Sequence, residues 1–596
     1  MMAPSEKLLQ SDQDENEIVM KFLNFVRDYL EKLEATTKRL EMFSILAELF
    51  QQADAEEIDK LIYFTQGELL PPFHGINIGM SEKYLLRALA KAGEIDPEKI
   101  AKEYRVVGDL GGLAEQVIRG HGKGRSVTDV YQSIYEIAEM SGEGSVERKI
   151  DAVCQLFSSV SPVEAKYVAR FMAGRLRLGA GDATVLEALA LSRGDRSFRK
   201  DLDRAYNITS DLGLVAKTLF QSGIEGIRAM SVRMGYPIRP ALCERLSSAE
   251  EIVEKIGRCS VEVKYDGFRC QVHKSKNDVA LFSRNQERTT PMFPEIADAC
   301  REVFGKQEVI LEGEALAYDE ATGDLLPFQV TSQRRRKHGI EDMAKAFPLK
   351  FFVFDLLYLN GEDYTHYAYA DRRKKLIELI QRKSPVMEVS QAIETDDPVE
   401  IQKFFDASIE RGLEGIVAKR LDAPYAAGSR NFNWIKLKRS YKGELSDSVD
   451  LVIVGYFAGK GHRAKFGIGT ILSAVYDPEE DRFKTVTRIG TGFSEEELVQ
   501  LKKRLDEIAS PEKPHQVDSE IVPDVWVYPK YVVTVTADEI TRSPNHTAGR
   551  DAEGIGYALR FPRVQGFIRT DKNPQDATTV AEIIEMFNLQ KRVKME

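Results

Sequence analysis

The sequence predicts a multidomain protein with three successive architectures: an all-α N-terminal part, an α+β centre and a small C-terminal β-barrel of OB type. Three changes of texture carry this expectation. Up to about residue 225, apolar residues recur at i, i+3 and i+4, the period of amphipathic helices. From Pro237 the apolar runs shorten and become β-rich, with helical stretches between them. After Gly443 the pattern is short strands with one clear helix. A chain of 596 residues has length for three to five domains at roughly 100–200 residues each. Boundaries are expected at 1–225, 226–443 and 444–596.

In the first part, Glu17–Leu33, Glu82–Ala92 and Val127–Met140 have helical spacing. The glycine-rich run Gly120-His121-Gly122-Lys123-Gly124-Arg125 marks a connection, and the first sixteen residues read as a frayed tail. In the centre, Val261–Val272, Val309–Tyr318, Leu349–Leu359 and Gly415–Lys419 read as strands, with helices over Arg372–Gln381 and Pro398–Arg411. In the third part the expected strands are Val449–Phe457, Gly469–Tyr476, Phe483–Arg488 and Val525–Val535. A helix is expected near Ser494–Ile508 and an amphipathic one at Thr578–Leu589, a pattern that suits an OB-type barrel.

Composition narrows the function classes. Hydrophobic content of 43% and charged content of 30% exclude wholesale disorder. No apolar run approaches the roughly 18–20 residues of a membrane span, and the polar, acidic N-terminus does not read as a signal peptide. The five cysteines (Cys154, Cys243, Cys259, Cys270, Cys300) form no CxxC pair, which argues against a disulfide scaffold or a Cys-rich zinc site and for a reducing compartment. The net charge of −11 is unevenly spread: −8 over 1–225, +2 over 226–443 and −5 over 444–596. A polyanion partner is therefore judged from local basic loops rather than from the sum.

Lys264-Tyr265-Asp266-Gly267 ends an alternating strand at a glycine turn, a placement that holds an amine at a cleft with few degrees of freedom. K-x-D-G alone arises by chance in roughly one chain of this length in eight, and taken singly it reads as an exposed turn lysine. Its weight comes from five further motifs downstream of it. Ser283-Arg284-Asn285 succeeds a strand, Leu311-Glu312-Gly313-Glu314-Ala315 lies within one, and Phe354-Asp355-Leu356-Leu357 interrupts another with an acid. Glu414-Gly415-Ile416-Val417-Ala418-Lys419 starts a strand, and Trp434-Ile435-Lys436-Leu437-Lys438 puts two lysines on one face. Glu314 and Glu414 suit a hard divalent ion, Lys419, Lys436 and Lys438 suit phosphates, and Phe354 offers a stacking face for a base. A lysine nucleophile with a metal and a phosphate cradle, without a Walker A sequence, is compatible with nucleotidyl transfer through a lysine phosphoramide.

The series KYDG, SRN, EGEA, FDLLYLNG, EGIVAK and WIKLK resembles the ordered motifs of the covalent nucleotidyltransferases, and in detail the ATP-dependent DNA ligases of archaeal and eukaryotic replicative type. Arg411-Gly412-Leu413-Glu414-Gly415, Ile489-Gly490-Thr491-Gly492-Phe493, Leu559-Arg560-Phe561-Pro562-Arg563 and Arg569-Thr570-Asp571-Lys572 extend the resemblance. Tyr63-Phe64-Thr65-Gln66-Gly67 and Arg175-Leu176-Arg177-Leu178-Gly179 are similar to the family's helical DNA-binding domain. The wording departs from the family's at Val330-Thr331-Ser332 and at Ala180-Gly181-Asp182-Ala183.

The resemblance implies an adenylation domain in the centre and nick sealing in replication, repair and recombination. Lys264 would take AMP from ATP. Glu262 would sit near the adenine, Phe354 would stack on it, and Arg269 and Arg284 would contact AMP and the nick phosphate. Glu314 would meet the ribose or a metal, and Glu414 would bind the metal, Mg²⁺ with Mn²⁺ as a substitute. Lys419, Lys436 and Lys438 would touch phosphates, with Arg430 a further nucleotide contact. Arg569 and Lys572 would be rotated over the β- and γ-phosphates by a hinge near Ser440–Leu445, and the barrel would then swing away to meet DNA.

The partner implied is nicked duplex DNA, held by phosphate and shape rather than by base reading. Arg119, Lys123, Arg125, Arg175 and Arg177 are the candidate contacts in the helical part, and Lys460, Arg463 and Lys465 on the barrel. No QxxLxxFF peptide marks a sliding-clamp contact, so a clamp stays an open partner. A monomer in the cytoplasm, at the nucleoid of a prokaryote or archaeon, is expected. The rival readings are an RNA ligase or GTP-using capping enzyme, disfavoured by the long helical part, and an NAD-dependent ligase, disfavoured by the missing four-cysteine zinc module. A non-catalytic nucleic-acid-binding scaffold is disfavoured by intact acids and lysines at every motif.

Overall fold

The computed structural model describes residues 19–176, 178–320, 325–326, 331, 334, 339–380, 384–411, 413–438, 448–459, 466–537, 539–560 and 562–593. Arg177, Lys460, Arg463, Lys465 and the whole of the expected hinge Ser440–Leu445 lie outside them. The chain forms two compact units, one from residues up to Leu69 with Ile78–Tyr104 and Leu110–Asp195, the other from Leu70–Asn77, Arg105–Asp109 and Arg196–Glu596.

The first unit is helical. Its helices start where the sequence supplies caps: Ser126 and Asp129 form a reciprocal capping box at Val127–Glu139, and Ser161 and Glu164 form another at Pro162–Met172, satisfying amide groups that the first turn leaves unpaired. An aromatic cluster joins distant helices in the core, with Phe64 4.6 Å from Phe171 and 5.5 Å from Phe22, ring centre to ring centre. The expected N-terminal helix is interrupted: Phe22–Phe25 and Glu31–Ala35 flank a π-helical turn at Val26–Leu30.

The second unit begins with helices Arg199–Thr209 and Leu212–Ala229 and continues into two sheets. The first contains β1 (Leu242–Arg245), β2 (Cys259–Lys264), β9 (Ala392–Thr395), β10 (Gly415–Arg420) and β11 (Arg430–Lys438), in the order β1-β11-β10-β2-β9. The second contains β3 (Phe268–Ser275), β4 (Asp278–Ser283), β5 (Val309–Ala317), β6 (Leu349–Leu359) and β7 (Glu362–Asp363), in the order β4-β3-β5-β6-β7, with β8 (Met387–Val389) also on β6. Helices Ala249–Ile256 and Pro398–Glu410 bury Ile252, Ile401 and Phe405 against Val261, Ile416 and Leu437 of the first sheet. Helix Pro294–Phe304 packs Ile296 and Phe304 on the second. The apolar run 261–272 thus spans two strands of different sheets, divided at Tyr265-Asp266-Gly267. A Cβ on Gly267 would lie 2.3 Å from the Ala315 carbonyl oxygen, so only glycine lets this turn approach β5.

The C-terminal part is strand-rich. β12 (Ser448–Phe457) pairs with β13 (Thr470–Asp477), which pairs with β14 (Arg482–Ile489). The expected strand 525–535 is two, β17 (Val525–Val527) and β18 (Val532–Thr536), both paired with β12, because Tyr528-Pro529-Lys530 breaks the ladder. β15 (Ala509–Ser510) pairs with β17, β16 (Val517–Asp518) with β14, β19 (Glu539–Ser543) with β20 (Gly556–Arg560), and β21 (Arg563–Arg569) with β18. Helices Glu495–Asp506 and Val580–Val593 contribute Leu501, Leu505 and Ile583 to its core. The last helix starts two residues later than the apolar spacing predicts. Thr578 exchanges hydrogen bonds with Asp450, and Thr579 caps the helix by accepting from the Glu582 amide at 3.2 Å.

Candidate functional site

Lys264 is the last residue of β2, directly opposite Gly415 on β10. The two strands therefore end together, and the Lys264 ammonium meets the carboxylate of Glu414, the residue just before β10. The same carboxylate is bridged by Lys438 from the end of β11. Across the turn, Glu314 on β5 lies opposite Arg269 on β3 and accepts a hydrogen bond from the Gly267 amide at 3.2 Å. These side chains open on a cavity of about 820 Å³, walled on one side by the α+β sheets and on the other by the C-terminal part.

Ten of the thirteen residues expected to serve the nucleotide or metal line this cavity: Lys264, Arg269, Arg284, Glu314, Glu414, Arg430, Lys436, Lys438, Arg569 and Lys572. The last two already face Lys264, so the C-terminal part is closed over the strand ends in this structure. Most of the cations are paired. Arg430 and Lys436 reach Glu582, in the first turn of the last helix, at 2.9 and 3.4 Å. Arg284 lies 3.4 Å from Asp576. Arg569 is bound in a two-bond fork by Asp571, at 2.8 and 2.7 Å, and Lys572 is paired with Asp450. Arg269 is turned toward Glu312 (2.7 Å) and the Ala241 carbonyl (2.8 Å).

Glu262, Phe354 and Lys419 lie apart from those ten. They gather in a buried cluster that is not part of the cavity lining among the described residues. The Lys419 ammonium, expected at the phosphates, lies 2.9 Å from Glu262, donates to the Phe354 carbonyl at 3.1 Å, and sits 4.7 Å from the Phe354 ring and 4.3 Å from that of Trp434. The cause is strand register: Lys419 stands directly opposite Trp434 on β11. Glu262 also accepts from Tyr369 and, at 3.4 Å, from Arg373. Phe354 meets Trp434 edge-on at 6.0 Å, with the Arg269 guanidinium 5.4 Å from its ring.

The electrostatics mark the cavity as a place for bound charge. Burial pushes the Glu314 carboxyl up to about 8 against the opposing pull of Lys264 and Arg269. Asp266 is likewise raised by burial and by Glu414. Burial would also raise Glu414, but Lys264 and Lys438 outweigh it and hold it well below the usual carboxylate range. Burial pulls Lys436 down to about 8 despite Glu582. The oxygen donors of Glu314 and Glu414 fit a hard divalent ion, though Glu414 would have to release a lysine to take one. Among the described residues no group of three or more His, Cys, Asp or Glu side chains could hold a metal ion on its own. Magnesium, which commonly takes one or two carboxylates and completes its shell with phosphate and water oxygens, needs no such cage.

In the helical unit, Arg119 and Lys123 are exposed on their loop. Arg125, expected at DNA, is used internally: its guanidinium donates to Ser159 Oγ (3.1 Å), the Asp129 carbonyl (2.7 Å) and Ser133 Oγ (2.6 Å). Arg175 pairs with Glu82 at 3.2 Å. Asp266, Asp450, Asp576 and Glu582 are cavity residues that the sequence reading missed. Asp266 stood inside the KYDG motif, and Thr579-Val580-Ala581-Glu582 is a legible capping box. No local signal ties Glu582 to Arg430.

Three family models match the chain: "DNA ligase N terminus" over residues 21–190, "ATP dependent DNA ligase domain" over 240–438 and "ATP dependent DNA ligase C terminal region" over 464–572. A protein named probable DNA ligase from Dictyoglomus turgidum is 54% identical over 569 residues, covering 95% of this chain and 98% of its own length. DNA ligases of Sulfurisphaera tokodaii and Thermoplasma volcanium are 41% and 40% identical, over 96% and 97% of this chain and 98% and 100% of their own lengths.

Proposed function

The chain belongs to the ATP-dependent DNA ligase family, whose activity is the sealing of nicks in duplex DNA, and on that premise we propose how its residues divide the work. Lys264 Nζ, once deprotonated, attacks the α-phosphorus of ATP. A P–N bond forms, the bond to the bridging oxygen of the β-phosphate breaks, and pyrophosphate leaves with the electron pair. The AMP then passes to the 5′-phosphate of the nick, and the 3′-hydroxyl displaces it to form the phosphodiester. Arg430, Lys436 and Lys438 from below, and Arg569 and Lys572 from above, supply the positive field for the triphosphate and the departing pyrophosphate. The observation that carries this reading is the closure of Arg569 and Lys572 over the Lys264 strand end, around one cavity that also holds Glu314 and Glu414.

The base belongs at the buried cluster. Adenine presents an amino donor beside a ring-nitrogen acceptor, and guanine reverses the two. A Glu262 carboxylate 2.9 Å from the Lys419 ammonium offers an acceptor beside a donor, the complement of adenine. We therefore assign Lys419 to the base edge rather than to the phosphates, with Phe354 as the stacking face. Arg269 and Arg284 would turn from Glu312 and Asp576 to the AMP and the nick phosphate. Glu314 and Glu414 would hold Mg²⁺, or Mn²⁺ in its place, which when bound neutralises charge on the reacting phosphates.

Further parts of this reading are the boundaries 1–225, 226–443 and 444–596 and an OB-type barrel in the third segment. They are supported by the order of the three family matches and by the pairing of β12 on both of its edges. The barrel swings away between steps, and the enzyme acts as a monomer on nicked duplex DNA, in the cytoplasm at the nucleoid. No helix of the described residues is long and apolar enough to cross a membrane. Incubation with α-labelled ATP tests the core of the proposal. Wild type should retain label through denaturation and Lys264→Ala should not; equal labelling of the two would sink it.

A further inference from the structure

The two cations that close over the cavity are not left to find their own positions. Asp450 lies on β12, where Val449 and Leu451 on either side point into the core and its own side chain faces the cavity. It stands directly opposite Thr534 on β18. One carboxylate oxygen accepts from Thr534 Oγ1 at 2.7 Å, and the other accepts from the Lys572 ammonium. Thr534 Oγ1 also accepts from Arg569 at 3.4 Å, so the Asp450–Thr534 pair joins both cations. The backbone of Asp450 is fixed in turn: its amide donates to Thr578 Oγ1 at 3.0 Å and its carbonyl accepts from the Thr578 amide at 2.8 Å.

An acid on the wall of a phosphate site opposes the ligand's charge, so its presence calls for a compensating role. Burial favours a neutral Asp450, but Lys572 and Arg569 outweigh it and keep the group ionised. A lysine has a flexible four-carbon stem, and a fixed anion at its tip selects one direction from many. Supported functional groups on rigid strands are how a site holds the productive geometry.

We propose that Asp450 is the positioning residue that aims Lys572, and through Thr534 Arg569, at the β- and γ-phosphates during the first nucleotidyl transfer. This rests on the reading of Lys572 and Arg569 as phosphate-facing in that step. Because the C-terminal part swings away afterwards, Asp450 acts in lysyl-AMP formation and not in the final joining.

The two steps can be measured apart in the full-length enzyme: single-turnover lysyl-AMP formation from ATP, and sealing of a nick supplied already adenylated. Asp450→Asn should slow the first about tenfold or more, mainly in kcat rather than in KM for ATP, as losing a partner that orients a functional group typically does. Sealing of the pre-adenylated nick should stay within about twofold of wild type. Asp450→Glu should recover part of the loss, and Thr534→Val should slow the same step by less. Equal slowing of both steps, or an unchanged first step, would overturn the proposal. Lys572→Ala separates it from the reading beneath: if that variant slows the first step and Asp450→Asn does not, only the positioning role fails. If neither slows it, the phosphate-facing role of Lys572 fails as well.

Discussion

On β10 the Lys419 ammonium is almost fully buried, and burial pulls its pKa down. It is tolerated because Glu262 sits 2.9 Å away and the faces of Phe354, Tyr369 and Trp434 surround it at 4.7, 4.8 and 4.3 Å. In the base-edge role proposed for it, a charge so enclosed gives selectivity, since a base with the wrong edge leaves buried groups unpaired. Glu262→Gln offers an amide that can rotate to donate or accept, and should lower the preference for ATP over GTP about tenfold, the lower end of what one base-reading pair contributes. Labelling with α-labelled ATP and GTP measures the ratio, and an unchanged ratio would refute the assignment of Glu262 and Lys419 to the base. At this scale the sequence was a partial guide. KYDG, EGEA and WIKLK name residues that do meet at one cavity, because each sits at or near the end of a strand whose partners are fixed by β register. The surroundings of Lys419 come from Trp434 and Glu262, cross-strand neighbours that no local motif reveals.

Elements fail and succeed for a related reason. The strands of the centre fall near where β-branched runs place them, but the start of the last helix depends on Thr578 bonding to Asp450 in a distant strand. The π-helical turn at Val26–Leu30 likewise has no compositional mark. Glu57 stands at the entry to helix Ile58–Gln66 and is nearly inaccessible to solvent. One carboxylate oxygen accepts from the Met20 amide at 3.3 Å, and the other has no hydrogen-bond partner among the described residues. Burial, with Asp54 adding to it, raises its pKa from 4.5 to about 7. The folded unit therefore holds this proton more tightly than the unfolded chain does. Its contribution is fully present below about pH 4.5 and is lost as the pH rises through about 7. Glu57→Gln removes the ionisation and should stabilise the helical unit at pH 8 by roughly 1–3 kcal/mol, with little change at pH 4. Denaturant unfolding at the two pH values measures this; a gain of equal size at both would show that charge burial is not the cause.

Across the whole molecule, helical periodicity runs to about residue 225, whereas the continuous stretch of the second compact unit begins at Arg196. Periodicity reports the local conformation, not the core that a helix joins. Ile208 of helix Arg199–Thr209 packs in one cluster with Ile238, Ile310, Leu357 and Trp434, residues of the α+β centre. Net charge misleads in the same way. A total of −11 argues against a polyanion, yet the central segment carries 35 basic against 33 acidic residues, and seven of those cations, Arg245, Lys264, Arg269, Arg284, Arg430, Lys436 and Lys438, line one cavity. With acidic flanks, DNA affinity has to come from a few exposed cations, and we propose Arg119 and Lys123 on the glycine-rich loop as two of them, Arg125 being held by its own unit. Each phosphate contact releases condensed counterions. If about four phosphates are neutralised, raising salt from roughly 50 to 200 mM should weaken binding to nicked duplex about a hundredfold. The double variant Arg119→Ala/Lys123→Ala should flatten the logarithmic salt slope by about 2 and leave lysyl-AMP formation from ATP untouched, because neither residue lies at the cavity. Fluorescence anisotropy over a salt series decides the point: a double variant with the wild-type slope would remove this loop from the DNA interface, and a slope near zero in wild type would exclude a phosphate-dominated one.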